Sequence, residues 1–170
     1  FIKRLREVTP PIHRDFSGGR EELGLSYQTV STIDDPLAPT RTLLEQLLKH
    51  QDSHRKAELE ARQCLSGPHK DDLLVELDGV SAKTFASQGQ TRTAALSLKL
   101  ASREIFFQET GEWPVLLLDD VLSELDHRRQ EFVLKRITGG QVFITCCEEM
   151  SLDRLGEGKT FHIHNGVLVG

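Results

Sequence analysis

Pro114-Val115-Leu116-Leu117-Leu118-Asp119-Asp120-Val121-Leu122-Ser123-Glu124-Leu125-Asp126 is the stretch whose reading decides the fold. Four apolar residues, Val115 to Leu118, follow a proline and stop at a carboxylate pair, Asp119 and Asp120. A short continuous apolar run bounded in this way predicts a strand buried on both faces of a parallel sheet. Desolvating an unpaired carboxylate is costly, so the pair belongs at the solvent-facing end of that strand or beside a cation. Successive strand residues point to opposite sides, which allows the two carboxylates different tasks. One can reach a metal-bound water while the other orients an attacking water, as hydrolysis of a nucleoside triphosphate requires. Taken alone, the pattern fits an ordinary strand and polar turn equally well.

A second signal lies upstream. Ala86-Ser87-Gln88-Gly89-Gln90 stands directly ahead of a long helical pattern. A small hydroxyl residue and a glycine at a helix start expose backbone N–H groups, which makes a phosphate site. Downstream of the carboxylates, Ser123-Glu124-Leu125-Asp126 is a polar turn leading into another helix.

In this order and spacing the three pieces resemble the second half of an ABC-type ATPase head, with SQGQ as the signature motif, LLLDD as the Walker B strand and SELD as the D-loop. Gly67-Pro68-His69-Lys70-Asp71-Asp72-Leu73, Ser87 to Thr93, Leu118 to Asp126 and Gln141-Val142-Phe143-Ile144-Thr145 narrow the likeness to the RecF family of bacterial recombination mediators. It extends over most of the chain. The resemblance implies an α/β fold: the C-terminal lobe of an ABC-type head, with parallel core strands, flanking helices, a short helical subdomain and a closing β-hairpin. It implies ATP and Mg²⁺ as cofactors, with Asp119 holding the metal through water and Asp120 polarising the attacking water. Ser87, Gln88, Gly89 and Gln90 would close over ATP bound by a second copy, and Ser123, Glu124, Leu125 and Asp126 would form the D-loop, with Ser123 and Asp126 passing that closure to the opposite site. The Walker A loop would lie in an N-terminal half. The implied partners are DNA, both double-stranded and at gap junctions, RecR, and a second copy of the same protein. ABC-type heads often carry a histidine after the strand-end threonine; here Cys146 follows Thr145, so no residue is assigned as sensor. Two alternatives remain open: a head fragment of another SMC-like repair ATPase, and a non-catalytic docking module with this fold.

Composition sets outer bounds. The chain of 170 residues suffices for one domain with a real core. It is 38% apolar and 28% charged, as a soluble globular protein is, and its 6% aromatic content predicts an aliphatic core. No apolar run reaches the length that spans a bilayer and no signal segment opens the chain, which points to the cytoplasm. Cys64, Cys146 and Cys147 suit free thiols in a reducing compartment. A formal net charge of −5 does not mark a nucleic-acid surface.

In chain order, Phe1 to Val8 reads as the tail of a helix that Thr9-Pro10-Pro11 interrupts, and Ser17-Gly18-Gly19 as a turn. Leu23 to Val30 alternates as a half-exposed strand. After Pro36 to Pro39, Thr42 and Glu45 have capping-box spacing for a helix running to about Cys64, with Leu43, Leu44, Leu47 and Leu48 as its apolar stripe. Gly67-Pro68 ends it; Leu73 to Leu77 reads as a strand and Asp78-Gly79 as a hairpin turn. The helix from Gln90 to about Gln108 presents Ala94, Ala95, Leu98, Ala101, Ile105 and Phe106, and Trp113 reads as a core plug. His127 to Ile137 is helical with a solvated basic face, Gln141 to Thr145 is a second buried strand, and Asn165-Gly166 turns a closing hairpin. Gly158-Lys159-Thr160 imitates the end of a Walker A loop, but Asp153 stands where its first glycine belongs and a strand, Phe161 to His164, follows where a helix is needed. His69-Lys70-Asp71-Asp72 fits no common metal cage, nor do His162 and His164 without a third ligand. The resulting divisions are 1–35, the end of a helix and a strand; 36–66, a helical subdomain; and 67–170, the signature, Walker B and D-loop lobe.

Overall fold

The computed structural model describes residues 1–123, 125–147 and 158–169. The chain divides into two compact units, Phe1–Gly111 and Glu112–Gly170.

In the first unit, α1 (Ile2–Ser17) runs unbroken through Pro10 and Pro11, against the expected interruption. Proline removes a helical hydrogen bond, but packing overrides propensity when one face is buried. Leu5, Thr9, Ile12, His13 and Phe16 recur at helical spacing and are almost fully buried, and α1 packs against the later helix α4 and the strand β1. Gly18 and Gly19, at φ 71° and 75°, end α1 in a left-handed turn, with Gly19 N donating to Arg14 O at 2.7 Å. β1 (Leu23–Gln28) pairs antiparallel with β2 (Asp72–Leu77), Leu23 opposite Leu77 and Gln28 opposite Asp72. β2 turns through Asp78 and Gly79, at φ 52° and 78°, into β3 (Val80–Ser81), as the Asp-Gly pair predicts.

Between β1 and β2 the chain makes an excursion through α2 (Thr40–Ala61). Two expectations fail there. The helix starts at Thr40 behind Pro39 with no side-chain cap, and Glu45 pairs with Arg41 rather than closing a capping box with Thr42. The leucine stripe is not packed: Leu44 and Leu48 are 55% and 52% exposed, and His50 is the buried residue, bonded to Thr32 Oγ1 at 2.8 Å. α2 ends at Ala61, ahead of the expected boundary, with Arg62 in a left-handed cap.

A short turn of helix, α3 (Ala82–Phe85), leads to α4 (Gln88–Thr110), capped by Gly111 at φ 75°. The buried face of α4 includes Thr93, Ala94, Ser97, Leu100, Ala101 and Ile105, whereas Ala95 and Phe106 face solvent. Thr93 and Ser97 fit this apolar face because each hydroxyl donates back to the carbonyl four residues earlier, Gly89 O and Thr93 O, both at 2.8 Å.

In the second unit, β4 (Leu116–Asp119) and β5 (Val142–Thr145) form the expected parallel pair, with α5 (His127–Arg136) in the connection between them. The expectation of burial on both faces is corrected: Leu116 and Leu118 are buried, but Leu117 and Phe143, which sit opposite one another, are 61% and 50% exposed. Two strands present one covered face here, and among the described residues no element covers the other. Trp113 is half-buried rather than a core plug, its indole lying against Gly139. β6 (His162–His164) and β7 (Val167–Val169) form the closing hairpin around Asn165 and Gly166, with both histidines exposed. Lys159 lies over the Phe161 ring at 4.9 Å, and no helix follows it, as the rejection of a Walker A loop requires; Asp153 lies outside the described residues. Among the described residues no helix is long and apolar enough to cross a membrane.

Candidate nucleotide-handling site

β4 and β5 end together, Asp119 opposite Thr145, at the carboxyl edge of the parallel pair. That edge is where α/β sheets place ligand-handling groups. Thr145 Oγ1 donates to Asp119 Oδ1 at 2.5 Å and accepts from Asp120 N at 3.0 Å, while Thr145 O accepts from the same N–H at 3.1 Å. One threonine therefore fixes the Asp119 side chain and the Asp120 backbone together. Asp120 leaves the strand with φ 50°, a left-handed conformation that aspartate tolerates better than most side chains. Ser123 Oγ lies 2.7 Å from Asp120 Oδ1 and 2.8 Å from Asp120 O, so its one proton is shared between them. Both carboxylates are exposed.

The turn beyond them is pinned from below. Leu122 and Leu125 are buried, and the Gln130 amide donates to their carbonyls at 2.9 and 3.1 Å. Asp126 caps α5, accepting from Arg129 N at 3.0 Å. Glu124 lies outside the described residues. Neither Thr145 nor Gln130 stood out in the sequence as a site residue; the signal for Thr145 was its place at the end of the second strand of a parallel pair.

A magnesium ion keeps most of its waters and takes one or two carboxylates together with phosphate oxygens. The exposed Asp119 carboxylate, oriented by Thr145, fits that modest demand. Among the described residues no group of three or more His, Cys, Asp or Glu could hold a metal by itself.

In the first unit, Ser87 is the N-cap of α4. Its Oγ accepts from Gln90 N at 3.2 Å, and Gln90 Oε1 accepts from Ser87 N at 2.8 Å, a reciprocal capping box. Ser87, Gln88 and Gly89 are exposed at the helix start, while Gln90 is half-buried. This end carries the positive pole of a helix dipole, worth up to about 2 kcal/mol toward an anion.

The other marked residues have local partners. Asp71 accepts from Tyr27 OH at 2.5 Å, Asp72 lies 3.7 Å from Lys83 Nζ, and His69 Nε2 is 3.3 Å from Cys64 O. The Asp71 hydrogen bond, followed by burial and the carboxylate's charge, raises the Tyr27 pKa above its ordinary value. On α5, Arg129 pairs with Asp126, Lys135 with Glu131, and Arg136 sits over the Phe132 ring. Cys64, Cys146 and Cys147 are free thiols.

No protein-family model matches the chain. It is similar to the DNA replication and repair protein RecF of Acetivibrio thermocellus, 42% identical over 163 residues, covering 96% of this chain and 44% of that protein. It is likewise 42% identical over 179 residues to RecF of Bacillus subtilis, covering 99% of this chain and 46% of the relative. Two solved structures share its fold: the recombination mediator protein RecF-ATP in the RecFOR pathway, at TM-score 0.77, and RecF-ATPrS in the same pathway, at 0.76. Each is 32% identical, and the match covers 98% of this chain and 43% of that one. The chain thus spans less than half the length of the relatives it matches. From the carboxylate tip, the capped start of α4 and this likeness together, the chain belongs to the RecF family of DNA replication and repair proteins and corresponds to a C-terminal portion of one.

Proposed function

We propose that the full-length protein is an ATP-dependent DNA-binding recombination mediator whose copies pair around ATP. The reading extends to the helping of recombinase onto single-strand gaps, to contacts with duplex DNA and gap junctions, and to RecR as partner in the cytoplasm. One observation carries it: Asp119 and Asp120 diverge at the carboxyl edge of a parallel strand pair, each held by its own hydroxyl donor. Docking alone requires neither carboxylate.

Asp119, fixed by Thr145, would hold Mg²⁺ through water. When bound, the ion neutralises charge on the phosphate oxygens. Asp120 would accept a hydrogen bond, and then a proton, from the attacking water, and Ser123 sets its orientation. Ser87, Gln88, Gly89 and Gln90 would face the terminal phosphate of ATP carried by the second copy, donating from the start of α4. Ser123 and Asp126 stand in the turn that would link the two pockets, with Leu125 as its buried anchor. No GxxxxGK[ST] occurs in these residues, so the phosphate cradle is assigned to the N-terminal portion of the full-length protein.

The test is sedimentation and turnover of the full-length protein. ATP should convert monomer to dimer, and gapped DNA should stimulate slow hydrolysis. A protein that neither pairs with ATP nor hydrolyses it, with DNA present, overturns the reading.

A further inference from the structure

His13 lies on the buried face of α1 with no exposed surface, and a buried imidazole needs partners for both ring nitrogens. Nε2 is 3.1 Å from Glu21 Oε2 and Nδ1 is 3.2 Å from Ser97 Oγ. A carboxylate only accepts, so the Nε2–H donates to Glu21. The left-handed turn at Gly18-Gly19 carries the chain back past the end of α1, and Glu21 N is bonded there to Ser17 Oγ at 3.3 Å.

The second Glu21 oxygen continues the chain. Oε1 accepts from Gln90 Nε2 at 3.1 Å, and the Gln90 carbonyl accepts from Ser87 N. Both ends of the Gln90 amide are thereby committed, which fixes its orientation. The result is an unbroken line, Ser97–His13–Glu21–Gln90–Ser87, from the middle of the α1–α4 interface to the N-cap of α4.

Capping does not call for this arrangement. A capping box needs only Ser87 and the residue three positions on. Burying an imidazole in the helix pair, with a partly buried carboxylate beside it, adds desolvation that capping alone would not offset. We propose that His13 and Glu21 are positioning residues: through Gln90 they hold the start of α4 in the orientation in which Ser87 meets phosphate. This inference rests on the assignment of Ser87 under the proposed function.

Gln90→Glu separates the two roles. Glutamate is an equally good capping-box residue, so a capping role predicts no loss. In the line, it sets a carboxylate against Glu21. Glu21→Gln alone removes the carboxylate's charge from both bonds, and its amide N–H can meet His13 only if the imidazole changes tautomer. The double variant Glu21→Gln/Gln90→Glu restores complementarity with its polarity reversed: the new amide at position 21 donates to the new carboxylate at position 90 and accepts from His13. In the full-length protein, the ATP concentration for half-maximal pairing should rise about tenfold in each single variant, the scale of one charge-assisted hydrogen bond. It should return to within about threefold of the parent in the double variant. Ser87→Asp is the control, since aspartate caps as well as serine but repels phosphate. If Ser87→Asp pairs normally, the assignment of Ser87 is wrong and this inference falls with it. If Ser87→Asp fails to pair while the single variants pair as the parent does, or the double variant is no better than they are, the assignment stands and the positioning role is overturned. Melting curves of each variant separate a shifted midpoint from a fold-wide loss.

Discussion

At the scale of single residues, adjacent carboxylates of the same chemistry are held differently by two hydroxyls. Thr145 holds Asp119 in line with the strand, and Ser123 holds Asp120 after the backbone has turned away. If Asp120 is the proton acceptor, Asp120→Asn in the full-length protein keeps the side chain's size and its bond from Ser123 but loses the base. Hydrolysis should fall by roughly 10²–10⁴ while ATP-driven pairing persists. Steady-state turnover beside sedimentation checks this, and unchanged turnover removes Asp120 from the mechanism. Tyr27 offers a second test, since it is the single tyrosine of the 170-residue chain. Its hydrogen bond to Asp71 favours the neutral phenol and raises its pKa in the folded state. The stabilisation is therefore complete below the ordinary tyrosine pKa and is lost as pH rises through the folded value. Tyrosinate absorbance should develop at higher pH in the native chain than in urea, and Asp71→Asn should narrow the gap; coincident titrations would refute the coupling.

At the scale of elements, glycine-bearing turns and helix stops were legible because their chemistry is local, whereas the capping-box spacing of Thr42 and Glu45 misled. Asp78-Gly79, Asn165-Gly166 and Gly111 each need a left-handed backbone, and the residue types say so. Faces were harder. α1 hid behind Pro10-Pro11, because the burial of Leu5, Ile12 and Phe16 that carries the helix through lies in a partner helix distant in sequence. The α4 stripe was misplaced because Thr93 and Ser97 count as polar, although both hydroxyls bond back to their own helix and Ser97 also meets His13 on α1. The α2 leucines looked like a core stripe, and periodicity cannot report whether a partner surface exists. The carboxylate tip was legible as a pattern, but Thr145 and the His13–Glu21 pair were not, since contacts across the sequence have no spacing rule. The approach to β5 makes a sharper case. Gly139 sits at φ 82°, and a Cβ there would come within 2.7 Å of Trp113 Nε1. Gly139→Ala must therefore strain the backbone and push the indole aside, at a cost of about 1–3 kcal/mol. A lower urea midpoint in the full-length protein is the expected result, and an unchanged midpoint would mean that the indole is not held there.

At the scale of the whole molecule, the two features proposed to meet a nucleotide fall in different compact units, Ser87 in one and Asp119 with Asp120 in the other. Neither is a binding site by itself. A helix start contributes at most about 2 kcal/mol to holding an anion, whereas even a millimolar dissociation constant needs about 4 kcal/mol. A lone exposed carboxylate adds nothing toward a polyphosphate without its cation, and the chain's formal net charge of −5 offers no general attraction. Calorimetry on the 170-residue chain with Mg²⁺ should accordingly show no ATP binding below millimolar concentration, whereas the full-length protein should bind. A micromolar constant for the chain alone would mean that it contains a phosphate cradle of its own, and the division of labour between the two portions of the protein would have to be redrawn.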